Sequence, residues 1–302
     1  MYVWKTRVRA LTAALSAMLL SAPGQGEDAS YLKDMEAWRA ERETNLKKDG
    51  SWLTVAGLYW LREGENSVGT DLGNDFVLPE GTAPDFVGVF TYEEGKVGFR
   101  AQKGIEVVRK GEEAKPISTA TLEMGEKNAI VLGKLSMWVH NSGERLAIRL
   151  RDLDSSIRKE FTALQWFPVD PAYRVTARFT PHPEPKAVEI LNMLGDIERY
   201  ESPGYVDFEL SGEAIRMEPV SNSDGGLWFI FRDGTSGKET YPAARFLHSD
   251  APKDGKVIVD FNKAYNPPCA FNPYTTCPMP QKDNRLKIRI EAGEKNYKKS
   301  HS

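Results

Sequence analysis

Three short stretches, RLAIRLRD, YVDFEL and RLKIRI, alternate apolar and polar residues with a period of two, and strands of this kind recur about every ten residues from residue 51 onward. A period of two places successive side chains on opposite faces of an extended chain, so such a sequence must bury one face of each strand against another layer. In YVDFEL, Val206, Phe208 and Leu210 share one face while Asp207 and Glu209 take the other. AIRMEP repeats the pattern with Ile215 and Met217, and LWFIFRD follows after SNSDGG, which reads as a three-stranded meander. FVGVFTYEEGKVGFRA predicts a hairpin turning at Glu94 and Gly95, and KVIVDF and RLKIRI add two more strands. Gly and Pro turns between short strands predict a mainly β fold, an antiparallel sandwich or barrel, with few helices.

One helix precedes the strands. ASYLKDMEAWRAERETNLKKDG puts Leu32, Met35 and Trp38 roughly on one face, offers Asp28 or Ser30 as a cap and ends at Gly50. The expected organisation is a signal peptide over 1–26, a helical arm over 27–50, a single β domain over 51–294 and a basic tail over 295–302. Two β subdomains are the second reading, with Pro181–Glu189 as the best boundary because residues before proline are driven to extended backbone.

The first residues carry Lys5, Arg7 and Arg9 and run into LTAALSAMLL, then small residues. This predicts a secretory signal cut near Gly26, since Ser21, Pro23 and Gly24 end the apolar run before the roughly 20 residues a membrane span needs. No cysteine follows the run, so a lipoprotein anchor is not expected, nor any stable membrane anchor after cleavage. Losing those three cations takes the formal charge from −3 to −6. An acidic chain is a poor partner for nucleic acid, whose binding needs clustered Lys and Arg. The expected location is periplasmic or secreted, where Cys269 and Cys277 can form a disulfide. A bridge around so small a loop would contribute about 2.5 kcal/mol.

Catalytic signatures are mostly missing. There is no G-x-S-x-G, H-E-x-x-H or C-x-x-C, and DGTSGKE fails as a phosphate loop because Arg232 and Glu239 occupy positions that need glycine and a hydroxyl. His140, His182, His248 and His301 are scattered without metal-ligand spacing, so neither a metal nor a cofactor is expected. In RLAIRLRD, Leu146, Ile148 and Leu150 are expected on the core face. Arg145, Arg149 and Arg151 then share the other at about 13 and 7 Å along the strand, suited to a carboxylate or phosphate. Tyr241 and Arg245 form a second polar pair, and Trp52, Tyr59 and Trp60 are expected to pack or to wall the end of a sheet.

The blocks SWLTVAGLYWLREGENSVG, RLAIRLRD, FTALQWFPVDPAYRVTARF, GTSGKETYPAARFL and DFNKAYNPPCAFNPYTTCPMPQKDNRLKIRIEAGEK resemble, over most of the mature chain, the bacterial and archaeal family known as domain of unknown function 1684. The resemblance implies no activity. It singles out Arg145, Arg149 and Asp152; Trp166 and Phe167; Tyr241 and Arg245; Asp260, Asn262, Tyr265, Asn266, Pro267 and Cys269; and Asn284, Arg285 and Glu294. Polar and aromatic residues of this kind line a pocket or knit a buried network. The first expectation is an exported protein binding a small polar or anionic ligand through Arg145, Arg149, Tyr241, Arg245, Asn262, Tyr265 and Asn284. A metal-independent hydrolase with Asp260 or Asp152 as general base is the second, and a structural or assembly role in the envelope the third. The cysteines are expected to brace their loop and not to supply chemistry.

Overall fold

The structure is a computed structural model that describes residues 25–112 and 115–297, so the predicted signal segment up to residue 24 and residues 298–302 of the predicted tail lie outside it. No helix among the described residues is long and apolar enough to cross a membrane. Helix α1 spans Gln25–Lys47 and starts upstream of the caps expected at Asp28 or Ser30. Its inward stripe is Tyr31, Met35, Trp38, Arg42 and Leu46; Leu32, expected to share it, is exposed.

Among the described residues, eleven strands follow before residue 153. They are β1 (Val55–Trp60), β2 (Gly64–Gly69), β3 (Phe76–Val77), β4 (Gly88–Glu93), β5 (Lys96–Ala101) and β6 (Val107–Arg109), then β7 (Pro116–Ile117), β8 (Thr119–Leu122), β9 (Ile130–Leu132), β10 (Leu135–Ser142) and β11 (Arg145–Asp152). They build one sheet ordered β1-β11-β10-β9-β6-β7 and another ordered β3-β2-β4-β5-β8. The inward face of each supplies a shared core that includes Phe90, Phe99, Met137, Ile148 and Leu150. The β4–β5 hairpin turns at Glu94 and Gly95 as expected, both with positive φ, the backbone a tight two-residue turn requires.

After the short helix α2 (Ser156–Lys159) come β12 (Arg174–Leu191), β13 (Ile197–Leu210), β14 (Glu213–Met217), β15 (Val220–Ser221), β16 (Leu227–Phe231), β17 (Arg245–Ser249) and β18 (Lys256–Asp260). They form sheets ordered β14-β13-β12-β18 and β15-β16-β17. Val206, Phe208, Met217, Phe229, Phe231, Leu247 and Val259 fill the second core. The fold is thus mainly β and antiparallel, with one long N-terminal helix.

Three local expectations give way to tertiary context. The meander is broken, because β16 leaves β14 and pairs with β15 and β17. Pro181–Glu189 lies inside β12, where the pairing with β13 shifts register between Pro181 and Lys186, so the prolines mark an irregularity in a strand and not a break between units. RLKIRI is extended but not a strand: Leu286 N–H donates to Arg232 O at 2.8 Å and Gly234 N–H to Ile288 O at 2.7 Å, and a turn of 3-10 helix at Lys282–Asn284 precedes it. Its alternation nonetheless buries Ile290 completely.

The chain then returns beneath α1. Gly293, at φ +80°, sits where an added Cβ would stand 2.4 Å from Ala264 O and 2.8 Å from Phe261 O. Neighbouring Glu294 N–H donates to Ala264 O at 2.8 Å, and Gly293 O accepts from Phe167 N–H at 3.0 Å. Gly293→Ala is therefore expected to cost about 2 kcal/mol or more in urea unfolding, through clash and strained backbone together. A cost below about 0.5 kcal/mol would contradict that packing.

Candidate functional site

Helix α1, the Trp52 turn, the outer faces of β16 and β17 and the proline-rich loop 265–278 enclose a cavity of about 450 Å³. Each wall follows from local sequence. Trp228 and His248 are cross-strand partners whose side chains point away from the second core, where a period-two pattern ordinarily puts polar residues. The prolines hold the loop in extended and 3-10 segments, and Asn272 Nδ2 fixes it to the other half of the chain by donating to Trp52 O at 2.6 Å.

The back wall is a stack. Trp228 lies 5.9 Å from His248 at 11° between planes, His248 lies 5.8 Å from Tyr265 at 17°, and the Arg42 guanidinium sits 4.3 Å over the Tyr265 ring. Phe246 meets Trp228 edge-on at 4.9 Å. His248 Nε2 and Tyr265 Oη are 2.8 Å apart, and burial pushes the imidazole pKa down and the phenol up to about 12. A neutral imidazole beside a neutral phenol is thus the resting arrangement at neutral pH.

Arg42 is the one fixed cation among the lining residues, and no carboxylate lines the cavity. Its Nε donates to Glu294 Oε2 at 2.9 Å and its Nη2 to Asn266 O at 3.1 Å. Glu294 is wholly buried, and burial raises its carboxyl pKa against the pull of Arg42. Asn222, Asn266, Thr275 and Thr276 supply further polar groups between Trp52, Leu46 and Phe271. An apolar box with a few convergent polar groups is what a small-molecule site requires. The open depression of about 570 Å³ around Glu63, Glu93 and Lys96 has no such walls.

Of the residues expected to bind ligand, only Tyr265 lines this cavity; the others do not converge on one pocket. Arg245 is fully buried, its Nη1 2.6 Å from Asp233 and 3.0 Å from Ile290 O, with Ala292 O taking Nη2. Asn284 accepts from Glu218 N–H at 2.9 Å and donates to Glu218 O and Ile230 O at 2.9 and 3.1 Å. Asn262 binds the Asp170 backbone, accepting from its N–H at 3.0 Å and donating to its O at 2.8 Å. Tyr241 Oη donates to Cys269 O at 3.1 Å. These four satisfy backbone groups of loops that strands do not hold.

The arginine row is divided as well. Arg145 makes paired bonds to Asp196 at 3.0 and 2.7 Å and lies 3.8 Å over Trp60. Arg151 ties Thr54 Oγ1 at 2.9 Å, Gly50 O at 2.7 Å and Glu126. Arg149, behind the cavity, meets His140 Nε2 at 2.9 Å and faces Trp52 at 5.8 Å. Burial brings its pKa down to about 10, and burial with the Arg149 charge brings His140 down to about 4. Neither expected general base lines the cavity. Both Asp260 oxygens accept from Tyr31 Oη at 2.9 Å and Oδ1 also accepts from Asn262 N–H, while Asp152 accepts from Asp154 N–H at 2.8 Å. Tyr59 bonds Val77 O at 2.5 Å away from the cavity, so Trp52 alone of the expected aromatic trio reaches it.

Cys269 and Cys277 are both free thiols, so the expected bridge is not formed in this structure. Sequence reasoning missed Arg42, Trp228, Phe246, His248 and Phe271 as lining residues. A usable signal existed for Trp228 and His248, both on positions where alternation points outward.

Residues 159–295 match the family described as "Protein of unknown function (DUF1684)". An uncharacterised protein of Haloarcula marismortui, solved by solution NMR, is 33% identical over a match covering 46% of this chain and 78% of that one, with a TM-score of 0.39. No curated protein matches the chain. The likeness to this family is shown over residues 159–295, and the match is narrower than the expected resemblance. Arg145, Arg149, Asp152 and the Trp52 stretch lie outside it, as does α1.

Two outcomes follow from these environments. Asp233→Ala strands the buried Arg245 charge and is expected to cost about 3–5 kcal/mol in urea unfolding; a cost under about 1 kcal/mol would remove the pair as a structural tie. For His140, the unfolded side chain titrates near 6.5 and the folded one near 4, so between these values the unfolded state holds a proton that the folded state lacks. Stability conferred above that window therefore falls as pH drops through it, by about 2 kcal/mol from pH 7 to pH 5. His140→Gln should flatten that part of the profile, and an unchanged slope would contradict it.

Proposed function

We propose that this is an exported small-molecule-binding protein whose ligand is amphipathic, with a flat apolar or aromatic body and one carboxylate or hydroxyl-bearing end. The observation that carries the reading is the pairing of one guanidinium, Arg42, with aromatic walls and no acidic side chain around a single cavity. Trp52, Trp228 and Phe271 suit the apolar body, and Arg42 with Asn222, Thr275 and Thr276 suits the polar end. Because Glu294 already neutralises Arg42, the site favours ligands with a single charge over polyanions. The volume falls within the range of small-ligand pockets. Export rests on the basic, then apolar, N-terminal segment, and hydrolysis by an aspartate is disfavoured because no carboxylate reaches the cavity.

Thermal-shift and tryptophan-fluorescence titrations with aromatic monocarboxylates, phosphates and sugars test the reading. A ligand at about 100 times its Kd should stabilise the chain by about 2.7 kcal/mol. Trp52 is partly exposed, so Trp52→Ala should preserve the fold while weakening binding about ten-fold. If the aromatic acids produce no shift, or Trp52→Ala and Asn222→Ala bind them as the parent does, the assignment fails.

A further inference from the structure

The cavity wall includes a sulfur whose partner is held close by. Cys277 lines the cavity, and its Sγ accepts from Cys269 N–H at 3.2 Å. The same sulfur donates to Thr275 Oγ1 at 3.7 Å, and the two thiols interact with each other. Both backbones are pinned: Met193 N–H donates to Cys277 O at 2.9 Å, and Tyr241 Oη donates to Cys269 O at 3.1 Å. The Arg149 guanidinium adds positive charge behind the sulfur. Two thiols used only to fill space would not need donors aimed at one of them.

We propose that Cys277 and Cys269 form a thiol–disulfide exchange couple, with Cys277 as the attacking sulfur and small disulfides bearing an apolar or aromatic group as the co-substrate. The Cys277 thiolate attacks one sulfur of R–S–S–R′, forming Cys277–S–S–R and releasing R′–S⁻. Cys269 then gives up its proton and attacks the Cys277 sulfur. The S–S bond of the mixed disulfide breaks, R–S⁻ leaves, the proton from Cys269 goes to the released R′–S⁻, and a Cys269–Cys277 disulfide remains. The protein dithiol is oxidised by two electrons and the small disulfide is reduced to two thiols. The free thiols seen here are the reduced form, and the bridge expected for an oxidising compartment is the product. The electrostatics agree with the order of attack: the hydrogen bond from Cys269 and the Arg149 charge lower the Cys277 pKa, whereas the bond to Cys277 and burial raise that of Cys269. Cys277 faces the cavity and Cys269 does not, which gives one sulfur placed to meet an incoming disulfide and one placed to resolve it.

The reduced chain mixed with 5,5′-dithiobis(2-nitrobenzoate), an aromatic disulfide carrying a carboxylate on each ring, tests the couple. The expected result is release of two equivalents of thionitrobenzoate, a protein that ends as an intramolecular disulfide without adduct, and a first step about ten-fold faster than in the urea-unfolded chain. Cys269→Ser should trap a stable mixed disulfide on Cys277. Two adducts retained on the parent chain, or a native rate no higher than the unfolded one, would overturn the proposal without requiring any variant to fold. The couple shares its cavity with the binding reading, and Cys269→Ser, which removes the resolving thiol without altering the cavity lining, separates the two: ligand-induced shifts that persist there leave binding intact whatever the thiol result.

Discussion

The Arg42–Glu294 ion pair is the contact on which the site depends. Glu294 sits at the end of the family-matched segment with no exposed surface, and Arg42 reaches it from the C-terminal part of α1. The same guanidinium covers Tyr265 and bonds Asn266 O, so one side chain joins the helix, the last turn of the chain and the proline-rich loop. Without it α1 would keep Tyr31 on Asp260 and Arg39 on Phe167 O, but the cavity would lose the wall that faces His248. Burying the carboxylate is costly, as the raised Glu294 pKa indicates, so the pair contributes position more than net stability.

Around this anchor, irregular segments are held by side chains in place of strand ladders. Asn262, Asn284, Arg245 and Tyr241 each satisfy carbonyls or amides of loops. A fold that ends in about forty residues with little regular secondary structure has many backbone groups to satisfy, and buried Asn and Arg supply several bonds apiece. This is why residues conspicuous for their polarity proved to be scaffold, while Trp52, Trp228, Phe246, Tyr265 and Phe271 supply the broad faces of the cavity.

Much of the fold was legible because period two is a local property. Val97 and Phe99, Val206 and Phe208, and Ile148 and Leu150 all face inward as their alternation requires. Where alternation misled, as in RLKIRI, the burial pattern survived while the partner strand was missing. Which strand pairs with which is a long-range matter, so the move of β16 into a separate sheet left no trace in LWFIFRD itself. The α1 face was misread for a different reason. Its inward stripe contains Tyr31 and Arg42, whose polar tips satisfy Asp260 and Glu294, and a search for apolar spacing passes over them. The site combined residues from four distant stretches, and only the outward Trp228 and His248 and the aromatic Trp52 turn hinted at a wall.

The central claim, that Arg42 and Glu294 act as one unit fixing α1 against the family domain, is tested by a double-mutant cycle in urea unfolding with Arg42→Met, Glu294→Met and the double variant. Each single change leaves a partner buried and unpaired, so the double variant should lose less stability than the sum of the singles by about 1–3 kcal/mol. Additivity within about 0.5 kcal/mol would contradict the account.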